Sequence, residues 1–135
     1  MIRPEIQLLI QRGHVQIDEI APLDCNPEES AALIPALTNI ALASRIARCN
    51  ANTPNWQPEM PGYILRELMT EAKLRLEAVP GHMPQYSNQE LAAQIVGAYG
   101  PASEYPQPDS PDFKGYVELL YMLSVNAAQR LEGGF

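Results

Sequence analysis

The sequence predicts an all-α protein: a single-domain bundle of five or six helices around a central, proline-bent apolar helix, with two proline-rich loops. Three observations predict it. Two dense helix-start signals stand in the chain, Asn26-Pro27-Glu28-Glu29 and Ser87-Asn88-Gln89-Glu90, in which a capping side chain meets a glutamate three residues on. Apolar residues recur at three- and four-residue spacing over 62–79 and 113–131. Few runs alternate as a half-buried strand would.

Residues 2–11 read as a short helix, with Pro4 near its first turn, Ile6, Leu9 and Ile10 on one side, and Gly13 as its stop. The run 14–20, His-Val-Gln-Ile-Asp-Glu-Ile, fits alternation at first and helical spacing later. A second helical turn is the favoured reading and a short extended segment the alternative.

Residues 26–49 are the central helix. Asn26 caps it, Pro27 suits its first position, and Glu29 reaches back to the cap amide. No charge occurs from Ala31 to Ser44, and a helix apolar nearly all round is a buried one. Arg45 and Arg48 arrive in the last turns, where cations suit the negative end of the helix dipole. Pro35 lies inside and would cost roughly 3 kcal/mol in an unadapted helix, so the helix bends there or splits into 27–34 and 36–49. Ala41, Ala43, Ser44 and Ala47 would let neighbouring helices approach closely. Cys25 and Cys49 flank this segment, about 35 Å apart if the helix is continuous. A disulfide needs Cα atoms within about 7 Å, so no intrachain bridge is expected.

The stretch 50–62 holds three prolines and no periodicity, long beside usual connections of about 4–6 residues. Trp56, the one tryptophan, sits in it: a pin for the loop on the plain reading, a recognition residue on the sharper one. A helix over 62–79 follows. Leu65, Leu68, Met69, Ala72, Leu76 and Val79 form its inner face, with Glu71–Arg75 and Lys73–Glu77 as i,i+4 pairs outside. The next helix starts at Asn88 and carries Leu91, Ile95 and Val96 as far as Tyr99. Residues 101–111 are a second proline-rich connection, acidic and extended. Ser110 then caps the last helix, whose buried stripe is Phe113, Tyr116, Val117, Leu120, Leu123, Ala127 and Leu131.

The composition narrows function more by exclusion than by signature. Nine basic residues against sixteen acidic ones give a net charge of −7, which argues against non-specific nucleic-acid binding. No apolar run is long enough for a membrane span or for a signal-peptide core with its cleavage site, so a cytoplasmic location with reduced thiols is expected. The glycines form no phosphate loop, and no catalytic motif is present. His14 and Asp18 stand four apart, on one face if their segment is helical, yet nothing nearby supplies a nucleophile. His82 falls in a turn, and two distant cysteines with one histidine near neither do not suit zinc. No cofactor, metal or catalytic residue is therefore assigned.

Three functional readings follow. The first is a small acidic factor of the inhibitor, immunity or phage and bacterial accessory type, which acts by occupying a surface of a partner protein, with a basic face as one form of that partner. Its contacts would come from the two loops: Trp56, Glu59, Tyr63, Glu104, Tyr105 and Asp109, with Trp56 and Tyr105 as aromatic anchors. The second is a helical domain in which Arg45, Arg48, Arg66 and Arg75 bind an anionic small molecule or nucleotide, with an oligomer interface as one setting. The third is a structural subunit of a homo-oligomer. Of the six tyrosines, Tyr116 and Tyr121 point to different sides of the last helix, so one of them should approach the surface.

Overall fold

A computed structural model describes residues 1–50, 61–79, 87–99, 106 and 109–133, with the helical backbone alone for 50 and 61–64. Among these residues the protein is all-α. In chain order the helices are α1 (Pro4–Arg12), α2 (Ile17–Ile20), α3 (Pro27–Leu33), a 3-10 turn (Ile34–Ala36), α4 (Asn39–Asn50), α5 (Pro61–Ala78), α6 (Asn88–Ala98) and α7 (Phe113–Gly133). That is one or two more than the spacing predicts, because the run 14–20 and the central segment each divide.

The central segment splits at Pro35. Asn26 and Glu29 form the full box at the start of α3: the Asn26 side chain accepts from the Glu29 amide at 2.8 Å, and Glu29 accepts from the Asn26 amide at 3.0 Å. Pro35 then sits in the 3-10 turn, where its missing N–H leaves no helical partner unsatisfied. Leu37 turns extended (φ −70°, ψ 144°) and forms an isolated parallel bridge with Val15. The Val15 amide donates to the Ala36 carbonyl at 2.8 Å, and the Thr38 amide donates to the Val15 carbonyl at 3.0 Å. Thr38 restarts the helix by accepting the Ala41 amide on its hydroxyl at 3.1 Å.

The run 14–20 resolves into both of its readings. His14 adopts φ +51° and Val15 is extended, while Ile17–Ile20 is a helical turn. Gly13 ends α1 at φ +73°, a conformation in which an L side chain is strained. The pair of left-handed residues turns the chain so that Val15 meets Leu37. Both side chains are buried.

One hydrophobic cluster draws from all seven helices. Leu42 and Ile46 of α4, Leu68, Met69 and Leu76 of α5, Leu91 and Ile95 of α6, and Leu131 of α7 are all fully buried within it. The main packing partners are α4 with α7 and α5 with α6. Small buried residues stand on both members of the first pair, Ala41 and Ala43 on α4 and Ser124, Ala127 and Ala128 on α7, which lets the axes come close. The predicted inner face of α5 is buried from Leu65 to Leu76, with Val79 half-buried, and both predicted charge pairs form, Glu71–Arg75 at 2.9 Å and Lys73–Glu77 at 3.4 Å. Val96 of α6 does not join the core: it is 55 % exposed, one position past the Leu91–Ile95 row. Helix α7 starts at Phe113, with Ser110 and Asp112 in the turn before it. Its stripe is buried from Leu120 onward, and Phe113, Tyr116 and Val117 pack half-buried at the margin.

Candidate functional site

The division of the central helix creates two clefts that share Leu37 as a wall. The wider, about 460 Å³, runs between the end of α1 and the 3-10 turn and includes Arg12, His14, Thr38, Asn39 and Arg75. The smaller, about 240 Å³, lies between the α2–α3 connection and α4. Its walls are Ile20, Leu23, Leu33 and Leu37, with Asp24, Cys25, Ser30 and Arg45 as its polar members.

In the wider cleft the cations are engaged by the protein itself. Arg75 donates from Nε to Glu71 at 2.9 Å and from Nη1 to the Asn39 side chain at 2.9 Å, and its Nη2 lies 3.4–3.5 Å from the Pro35 and Ile34 carbonyls. It ties α5 to both ends of the helix break. Arg12 donates from Nη2 to Glu19 at 2.7 Å. The Glu19 carboxyl lies below its ordinary range, first because the Gln16 amide donates to it and next because Arg12 does. These are joints between segments.

The smaller cleft differs. Arg45 is half-buried and, among the described residues, has neither a hydrogen bond nor an ion pair. Burial pushes the Cys25 thiol up, so a neutral thiol lines the cleft at neutral pH. Close by, Glu29 is buried at 1 % exposure and takes three hydrogen bonds from Arg3: from the amide and Nε at 2.9 Å each, and from Nη2 at 3.1 Å. With the Asn26 amide added, these donors hold its carboxyl at about 2. The N-terminal residues are strapped down here, since the Met1 amino group pairs with Glu28 and the Asn26 side chain donates to the Met1 carbonyl at 2.9 Å.

The sequence-predicted site residues fall in different places. Trp56, Glu59, Glu104 and Tyr105, and the Tyr63 side chain, lie outside the described residues, as does His82. Asp109 is exposed in the turn before α7. Of the four arginines, Arg45 and Arg75 line separate clefts, Arg48 is exposed and Arg66 half-buried. His14 and Asp18 do not share a helical face, because His14 precedes α2 with φ +51°. The cysteines are both free. The long separation expected of a continuous helix does not apply, since Arg45, one turn from Cys49, lines the same cleft as Cys25. Among the described residues no three His, Cys, Asp or Glu side chains gather to hold a metal ion, and no helix is long and apolar enough to cross a membrane.

Tyr116 and Tyr121 do point to different sides of α7: Tyr116 donates to the Ala98 carbonyl at 2.7 Å, while Tyr121 is 44 % exposed. Near Tyr121 stand two residues that the stripe passes over, Leu119 (44 % exposed) and Met122 (60 %). Three apart, they form a ridge on the outward side, with Tyr121 on the opposite shoulder and the exposed Glu118 between. The sequence signal for them was their phase: both fall between the positions of the buried stripe.

Comparison of the chain with family models, with curated proteins and with solved structures gives no match in any of the three.

Proposed function

We propose that this protein is a non-catalytic binding factor that occupies a surface of a partner protein, using the outer face of α7. The observation that carries the reading is the exposure of Leu119 and Met122 side by side on the longest helix, with Tyr121 beside them. Leu8, Ile40, Leu74 and Val96 are exposed singly, whereas Leu119 and Met122 stand together, and Met and Tyr are enriched where surfaces meet. The charge around the ridge supports a basic partner over a second copy. The exposed ionic residues of α7 and the turn before it are Asp109, Asp112, Glu118 and Glu132 against Lys114. Two such faces would repel, whereas an apolar groove edged with Lys and Arg would complement one.

In this reading the proline-rich segments also contribute contacts to the partner, Trp56 and Tyr105 as anchors and Glu59, Tyr63, Glu104 and Asp109 as further contact residues. An inhibitor or immunity role is the narrower form of the proposal, and a cytoplasmic setting goes with it. The test is co-purification from the native host with the wild-type chain and with Leu119→Asp/Met122→Asp, whose folding is checked by circular dichroism. Binding to the captured partner is expected to weaken more than tenfold in the double variant, and to weaken with added salt in the wild type. Undiminished binding by the double variant sinks the α7 assignment. Sedimentation of a wild-type dimer that the variant abolishes would instead assign the face to a second copy.

A further inference from the structure

We infer that the cleft between the α2–α3 connection and α4 binds a small monocarboxylic acid with a short apolar body, whose carboxylate pairs with Arg45. Arg45 is half-buried and carries its charge into the cleft without a hydrogen bond or ion pair among the described residues, whereas Arg3, Arg12 and Arg75 are each matched to a carboxylate. A planar fork of donors left open in this way fits a carboxylate in two parallel hydrogen bonds. Half of the cleft's lining residues are apolar, the buried Ile20, Leu33 and Leu37 with the half-buried Leu23, beside the polar Asp24, Cys25 and Ser30. The apolar half suits an alkyl or aryl body.

Size and charge exclude larger anions. A volume of about 240 Å³ is that of about eight water molecules at ~30 Å³ each, the heavy-atom count of hexanoate. Nucleotide-sized ligands need pockets of roughly 300–1,000 Å³. The charged groups near the Cys25 thiol are Glu29, Arg3, Arg45 and Asp24. Arg3 and Glu29 neutralise each other at 2.9 Å, which leaves the half-buried Arg45 and the exposed Asp24 as the charges lining the cleft. A single guanidinium with a carboxylate in the same cleft suits a monoanion, not a phosphate dianion. Cys25 stays a neutral thiol and does not compete for Arg45.

The inference shares no residue with the α7 face and stands or falls separately. The probe is hexanoate, followed by amide chemical shifts of the full chain, with 1-hexanol and acetate as controls. Saturable shifts are expected in residues 20–33 and at Arg45, with a Kd of about 1 mM, as eight heavy atoms at ordinary ligand efficiencies allow. Hexanol lacks the charge and acetate lacks the body, and each is expected to bind at least about tenfold more weakly. Arg45→Gln, which removes no hydrogen bond made among the described residues, is expected to fold and to lose about tenfold or more. Asp24→Asn is expected to bind as tightly as the wild type or more tightly. The inference is overturned by the absence of saturable shifts, by hexanol matching hexanoate, by unchanged affinity in Arg45→Gln, or by lost affinity in Asp24→Asn. Should Arg45→Gln fail to fold, Leu23→Trp fills the cleft from its half-exposed edge, and hexanoate binding that survives it overturns the inference equally.

Discussion

Replacing Pro35 by alanine tests what breaks the central helix. The sequence makes the proline the cause; the structure makes it one participant. A continuous helix through 34–38 would pull Ala36 and Thr38 away from Val15, losing two hydrogen bonds of 2.8 and 3.0 Å, at about 1 kcal/mol each. It would also expose Val15 and Leu37, now 0 % and 4 % exposed, at roughly 1.5–3 kcal/mol each. The loss is then about 5–8 kcal/mol, and Arg75 would lose its hold on Asn39 besides. Against this the alanine variant gains two or three backbone hydrogen bonds, about 3 kcal/mol at most. The break should therefore survive. Pro35 is exposed, so its removal forfeits little packing, and the expected cost is the backbone freedom given to the unfolded chain, about 0.4–1 kcal/mol. For a chain of this size that is a fall in Tm of about 2–5 °C. Val15→Ala, which leaves the proline alone and opens the contact across the break, is expected to cost more, about 2 kcal/mol. Urea denaturation of both variants gives the ranking, and backbone chemical shifts of Pro35→Ala give the conformation. Helical shifts running without interruption from 27 to 50 would refute the reasoning, and so would a Val15→Ala cost smaller than that of Pro35→Ala.

Two further perturbations probe buried polar groups. Asn88 is 3 % exposed, donates to the Val79 carbonyl at 3.0 Å and accepts from Arg130 Nη1 at 2.8 Å, so it joins the end of α5 and the start of α6 to the end of α7. Asn88→Ala removes one neutral and one charge-assisted bond and is expected to cost about 2–4 kcal/mol in urea denaturation; a cost under about 0.5 kcal/mol would show the network to be idle. Glu29 has its folded-state pKa lowered from 4.5 to about 2, so its contribution is complete above pH 4.5 and is lost as pH falls from there towards 2. Melting temperatures of the wild type and Glu29→Gln should differ most at pH 6–7 and converge towards pH 2, and a gap that stays constant across that range contradicts the assignment.

How much of this could be read from the sequence depended on whether the signal was local. The boxes at Asn26–Glu29 and Ser87–Glu90 and the stripes of α5 and α7 are local, because a cap or an i,i+4 pair needs only its own helix, and they fall where the spacing puts them. The break in the central helix was half legible. Pro35 marks the place, but whether the chain bends or divides there is settled by Val15, twenty residues away, and by Arg75 from α5. The same contact explains why 14–20 reads ambiguously: its first half pairs across space and only its second half is helical. Both clefts follow from that contact, and this is why the arginines could not be sorted by spacing. Arg75 and Arg45 are equally plausible ligands on a helical wheel. One is taken up by Glu71 and Asn39 from two different elements, while the other lines a cleft with Leu33 and Leu37 and has no ion pair among the described residues. An arginine's availability is set by what the fold places opposite it, and Arg45 has no ion pair among the described residues where Arg3, Arg12 and Arg75 each meet a carboxylate.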